Sequence, residues 1–395
     1  MANIKEEVLN ELKNNIMPFW INRMATTDGK PLGRIDGQGN PDTSAPRSAV
    51  LCARTLWAFS AAYRVVGKPE YLAQATEAKR ELIDRFIDKE YGGVYWSLNP
   101  DGTPCDPKKQ MYAIGFSIYG LSEYVRATGE DAESLRWASK LFADMENHCF
   151  DPEGNGYIEA LSRDWSPIAD MRLSTKDRND SRTMNTHLHI IEPYTNLYRV
   201  LPSDKLKERI VNLLNIFTNR IVRQDGHLGL FFNDDWESQS DGISFGHDIE
   251  ASWLLWEAAE VVEPACSPDP TPLKDRLKPI CLKIADAADE GLGPQGQLYY
   301  EDCPSDKDAH WWVQAESVVG NWNAWQLSGN DKYRDASVRC WEFIKSQIIC
   351  PDGEWYWSRR ADGTANTTDD RAGFWKCPYH NSRMCLEIIE RSEKC

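Results

Sequence analysis

Seven histidines stand at positions 148, 187, 189, 227, 247, 310 and 380. Four of them fall in three dense polar strings. In MNTHLHIIEPYTNLY, starting at Met184, His187 and His189 are two residues apart. On a helix that spacing turns two side chains about 200° away from each other, so the pair cannot share one metal ion. Asn185 and His189 are four apart and share a face, as do His189 and Glu192. In GHDIEASWLLWEAAEVV, starting at Gly246, His247 and Glu250 face the same way. His247 falls in a first turn, where the helix dipole disfavours imidazolium and keeps the ring neutral, as a base requires. Glu250 is placed to orient that ring and set its tautomer. In WKCPYHNSRMC, His380 follows Pro378 at a helix start and Trp375 stands ready to wall a pocket. Each string has a plainer reading: a satisfied core histidine, an acidic helix cap and an ordinary helix entry. The chemistry that would use all three is proton transfer by neutral imidazole.

Further polar residues lie on apolar segments. Arg54 lies in the apolar stripe of RSAVLCARTLWAFSAAYR, where an unpaired guanidinium is costly. Tyr112 opens another apolar segment. HWWVQAESVVG sets Trp312 and Glu316 four apart on one face, and a buried glutamate is rare without a partner. Other chemistries leave no mark. There is no GxGxxG, P-loop, HExxH or GxSxG, and no zinc-type spacing. Nothing calls for a cofactor or a metal.

The elements that must position these groups are helices. Apolar residues recur every three or four positions near 5–22, 46–66, 69–88, 110–128, 131–148, 183–201, 204–223, 247–263, 271–290, 313–328, 331–349 and 378–393. The chain also repeats itself. YLAQATEAKRELIDRFIDKEYGGVYWSLNPDGT and YRDASVRCWEFIKSQIICPDGEWYWSRRADGT share a helix, an aromatic pair and a closing Asp-Gly-Thr. Weaker copies of that ending are GNGYIEALSRDW, DGHLGLFFNDDW and GQLYYEDCPSD. The segments near 46–66, 110–128, 183–201, 247–263 and 313–328 are apolar almost all round. Those that follow each of them are amphipathic. Alternating buried and surface helices predict an inner ring within an outer ring: an all-α (α/α)6 barrel with short hairpin-like loops, a single domain over 1–395, and the pocket where the inner helices start. An open solenoid is the alternative.

Composition bounds the function. The 395 residues carry 61 acids against 45 bases, a net charge of −16 that repels phosphate backbones and excludes nucleic acid as a partner. Eleven cysteines without a CxxC fit reduced thiols in a cytoplasm better than a disulfide framework. The opening MANIKEEVLNELKNN lacks an apolar signal core, and no run of about 18 apolar residues predicts a membrane span. Sixteen tryptophans suit either a packed interior or a groove that stacks rings on sugars.

The strings MNTHLHIIEPYTNLYRV, GHDIEASWLLWEAA, WWVQAESVVG and WKCPYHN, with RTLWAFSAAYR, resemble the N-acylglucosamine 2-epimerase superfamily, and within it the cellobiose 2-epimerases. The likeness runs over nearly the whole chain. It implies an (α/α)6 barrel, no cofactor, and epimerisation at C2 of the reducing-end glucose in β-1,4-linked disaccharides; the expected partner is a small-molecule disaccharide, and the expected state is a monomer. It implies that His247 and His380 are the acid/base pair, with Arg54, Asn185, His189 and Glu250 around the reacting end. Tyr112, Trp312, Glu316 and Trp375 would contact the sugar. Pro193 departs from the family string, which has alanine there, and a helical proline threatens the placement of His189. N-acylglucosamine epimerisation and mannose isomerisation use the same enediolate and remain open. From other classes, an inverting glycosidase would use Glu250 and Glu316, and a non-catalytic sugar-binding protein would need only the aromatic groove.

Overall fold

Helices whose residues are apolar on every side have no face to offer water, so they must lie inside a shell of others. That is the arrangement in the computed structural model, which describes residues 2–27, 29–263 and 272–393. Six inner helices are α3 (Ala49–Val66), α5 (Met111–Thr128), α7 (Met184–Val200), α9 (Phe245–Val262), α11 (Trp311–Ser328) and α13 (His380–Ser392). Each packs on the next, and α13 returns to α3, so the inner ring closes. The open solenoid is thereby excluded. The outer members are α1 (Ala2–Glu11) with α2 (Met17–Arg23), then α4 (Pro69–Glu81), α6 (Ala132–His148), α8 (Asp204–Ile216), α10 (Leu273–Ala288) and α12 (Asp331–Phe343). One wide π turn, Leu12–Ile16, joins α1 to α2 within the segment expected as a single helix.

The sequence repeat is a structural repeat. Residues Leu82–Phe86, Phe217–Ile221 and Ile344–Ile348 add a π turn to α4, α8 and α12. The chain then bridges across a tight turn, Ile87 to Val94, Val222 to Leu228 and Ile349 to Trp355, and Leu292 to Leu298 after α10. The Asp-Gly-Thr ending is one turn used twice. Asp101 Oδ1 accepts from Thr103 N at 2.9 Å, and Asp362 Oδ1 from Thr364 N at 2.8 Å. In both, the glycine takes a positive φ, 86° at Gly102 and 82° at Gly363, where a Cβ would be strained.

Two-residue strands then tie these loops to the starts of the inner helices. Arg47–Ser48 pairs with Ser97–Leu98 before α3, and Lys109–Gln110 with Ala160–Leu161 before α5. Arg182–Thr183 pairs with Phe231–Phe232 before α7, and Ala309–His310 with Ser358–Arg359 before α11. All are antiparallel, and they frame the end of the barrel where the inner helices begin.

One expectation changes. Helix α3 is long and apolar enough by composition to cross a membrane, with mean hydropathy 1.2, although 67% of it is buried inside the ring. Its apolarity is accounted for by neighbours on every side. Arg47, in the short strand before α3, is buried and ion-paired to Glu81. Among the described residues nine cysteines are free.

Candidate active site

The first turns of the inner helices meet at that framed end, and their polar residues meet with them. Arg383, one turn into α13, is fully buried and organises the floor. Its Nη2 donates to Glu250 Oε1 on α9 and Glu316 Oε1 on α11, each at 2.6 Å. Its Nη1 donates to Glu192 on α7 and to the Tyr379 hydroxyl, and that hydroxyl donates in turn to Glu192. Three carboxylates from three helices are thus tied to one guanidinium on a fourth.

The imidazoles are held from this floor. His380 Nδ1 lies 2.7 Å from Glu316 Oε1, and His189 Nδ1 lies 2.9 Å from Glu192 Oε2. His247 Nδ1 lies 2.7 Å from Ser244 Oγ. His247 and His380 rest against the same indole, Trp312, with ring centroids 4.9 and 5.5 Å away. With every Nδ1 engaged, Nε2 is the atom each ring can offer to a ligand. Burial keeps all three rings neutral. It brings His247 down to about 3, with His189 adding to the effect. It also holds His380 well below the usual range, helped by Arg54 and Arg383, and it lowers His189 against the pull of Glu192.

The carboxyl groups divide. Burial raises all three, but at Glu192 the charge of Arg383 and the bonds from His189 and Tyr379 outweigh it and hold the group at about 2. Glu250 is pushed up to about 8 by burial and by Glu316, and its Oε2 is buried without a hydrogen-bond partner among the described residues. That oxygen is 3.8 Å from His189 Nε2. Ligand atoms of Glu250, Glu316 and His380 lie within 4.8 Å of one another, a spacing that would suit a cation. The Arg383 guanidinium already supplies the positive charge between the two carboxylates.

Arg54 on α3 closes the other side. Its Nη2 donates to the Tyr112 hydroxyl at 2.7 Å and its Nη1 to Cys377 Sγ at 3.7 Å. Its guanidinium lies 4.1 Å from the Phe116 ring centre and 4.6 Å from that of Tyr379. These are weak partners, so the charge is left to act on a ligand. Asn185 Oδ1 is buried and unpaired among the described residues. Trp375, half-buried, packs beside Tyr112 and Trp96.

The N-acylglucosamine 2-epimerase (GlcNAc 2-epimerase) family model matches residues 32–383. The chain belongs to this family. It is 52% identical over 393 residues to a cellobiose 2-epimerase of Bacteroides fragilis, covering 98% of each chain. It is 37% identical to a cellobiose 2-epimerase of Dictyoglomus turgidum, again over 98% of each chain. The solved cellobiose 2-epimerase of Bacillus thermoamylovorans superposes with a TM-score of 0.93 at 40% identity, covering 99% of this chain and 100% of that one.

In this member of the N-acylglucosamine 2-epimerase family, all ten residues singled out from the sequence stand on the inner ring or on the segment entering α13. Two details differ from expectation. Glu250 bonds Arg383, and it is Ser244 that holds His247. Pro193 does not break α7, which runs unbroken from Met184 to Val200 and keeps His189 on Glu192. The histidines outside the site have structural partners. His187 sits between Thr183 O at 2.7 Å and Tyr157 N at 3.0 Å, and His227 bonds Asp248 at 2.7 Å. Arg383, Tyr379 and Ser244 went unnoticed in the sequence. The available signal was spacing, since Arg383 lies three residues after His380 and Ser244 three before His247.

Proposed function

We propose that this chain epimerises C2 of the reducing-end glucose or mannose of β-1,4-linked disaccharides such as cellobiose, lactose and mannobiose, reversibly and through an enediolate. The observation that carries this is the pair of neutral imidazoles, His247 and His380, against the single indole of Trp312. Epimerisation needs an open-chain sugar, removal of the C2 proton and its return to the opposite face. Two imidazoles that rest on one indole, each with Nδ1 engaged and Nε2 left to act, suit the two transfers. Each positioned acid/base group contributes about 10²–10⁴-fold. Negative charge that develops on O1 and O2 meets Arg54, whose guanidinium has no carboxylate partner among the described residues, and Asn185. Tyr112, Trp312 and Trp375 give the sugar rings aromatic faces, and His189, fixed by Glu192, completes the wall. The identity to curated cellobiose 2-epimerases supports the disaccharide over a single sugar ring.

The chain's own side chains supply the bases and the fixed positive charges, so the reaction as written requires no cofactor. One chain closes the ring and the site, which supports a monomer, and its free cysteines suit a cytoplasm. An inverting glycosidase is disfavoured. Its two carboxyl groups should stand about 6.5–9.5 Å apart, whereas Glu250 and Glu316 bond one nitrogen of Arg383. The test is separate incubation with cellobiose, mannobiose, mannose and N-acetylglucosamine, followed by chromatography. Cellobiose should give glucosyl-mannose with the disaccharide intact. Release of glucose, or turnover confined to monosaccharides, would overturn the proposal.

A further inference from the structure

Serine and threonine at helix starts in this barrel do one job. Ser48, Thr183 and Ser203 occupy the N-cap positions of α3, α7 and α8, and each side chain accepts the backbone N–H three residues on. Ser244 holds the same position on α9 and is buried, as Ser48 and Thr183 are, yet its side chain makes no capping bond. Its hydroxyl lies instead 2.7 Å from His247 Nδ1. A residue type that caps by preference has been turned to an imidazole, three residues on and in the mouth of the site.

Resting on the assignment of His247 as an acid/base group, we infer that Ser244 is a positioning residue that selects the reactive tautomer of His247. A hydroxyl oxygen can accept from Nδ1–H both when the ring is neutral and when it is imidazolium. With Nδ1–H engaged, the lone pair of the neutral ring sits on Nε2, the only ring nitrogen left for C2–H. When Nε2 takes the proton, the Nδ1–H bond to Ser244 persists and no group need rearrange. His380 and His189 have carboxylates at this position, Glu316 and Glu192. A neutral partner leaves His247 the weaker base and spares the pocket a further buried anion. The titratable groups facing His247 are His189 from α7, Glu316 from α11, His380 from α13 across Trp312, and Tyr300 from the loop before α11. None of them bonds Nδ1.

The test compares Ser244→Ala, Ser244→Thr and Ser244→Asp with His247→Phe and with the capping control Ser203→Ala. Ser244→Ala should lower kcat about tenfold or more while KM stays within about threefold, because ring orientation rather than binding is lost. Its Tm should match the parent's, since no cap is removed. Ser244→Thr should restore most of kcat. Ser244→Asp, which gives Nδ1 an anionic partner, should move the acid limb of the kcat profile to higher pH. Ser203→Ala should lower Tm with kcat intact. Unchanged kcat in Ser244→Ala, failure of Ser244→Thr to restore it, or an unmoved acid limb in Ser244→Asp would overturn the inference when His247→Phe is inactive. An active His247→Phe would instead overturn the assignment of the base itself.

Discussion

Arg383 neutralises three buried carboxyl groups, so removing it should cost far more than removing a surface ion pair. Arg383→Met keeps the bulk and leaves Glu192, Glu250 and Glu316 facing one another. The expected loss is roughly 3–5 kcal/mol, the range for breaking a buried pair, read as a fall in the urea midpoint. A change below about 1 kcal/mol would contradict the assigned role. A second prediction concerns Glu159, buried between Thr183 Oγ1 at 2.9 Å and Thr186 Oγ1 at 2.6 Å at the start of α7. Burial raises its carboxyl from 4.5 to about 7. A raised carboxyl favours the folded state below pH 4.5, and that contribution is lost as pH climbs through 7. The whole effect is at most roughly 3 kcal/mol. Glu159→Gln should flatten the fall in stability between pH 5 and 8; an unchanged slope would refute the linkage. At this scale the histidines were legible because partners such as Asn185 and His189 share a helical face inside one string. Arg383 was not, because its three carboxylates sit on α7, α9 and α11, and helical spacing says nothing about partners on other helices.

At the scale of elements, α5 and α7 meet more closely than side chains normally allow. A Cβ on Gly115 would lie 2.6 Å from the His189 carbonyl oxygen and 3.4 Å from Pro193 Cγ. Proline has no N–H for that carbonyl, so the helix gives up one bond there, and the glycine lets α5 come in against the same turn. Gly115→Ala should force the helices apart, lowering stability by about 1–3 kcal/mol and reducing kcat through displacement of His189. A variant with parental Tm and kcat would show that the contact yields freely. The helices themselves were legible from periodicity. Their starts near 46 and 313 were displaced to Ala49 and Trp311 by the short strands that frame the mouth. A two-residue strand has too little sequence to announce itself, and its partner lies some fifty residues away.

The whole molecule is a ring whose last helix completes both the fold and the site. Glu354 fastens that seam, accepting from Trp20 Nε1 at 3.2 Å, Lys376 Nζ at 2.6 Å and Asn381 Nδ2 at 2.5 Å. Helix α2 near the start of the chain and the first turn of α13 near its end therefore share one buried carboxylate, and His380 and Arg383 arrive in place only when the circuit shuts. Alternating buried and amphipathic helices made the two rings legible, whereas the seam was hidden because Trp20 lies 334 positions from Glu354. In the mechanism proposed above, one imidazole removes the C2 proton and the other delivers a solvent-derived proton to the opposite face. This mechanism is tested most directly by incubating cellobiose with the enzyme in D₂O and reading the C2 position of intact disaccharide by NMR. Deuterium should enter C2 of both epimers with the parent protein. It should fail to accumulate in product with His247→Phe or His380→Phe, each retaining the parental circular dichroism. Epimer formed without deuterium at C2, or turnover undiminished in either variant, would contradict it.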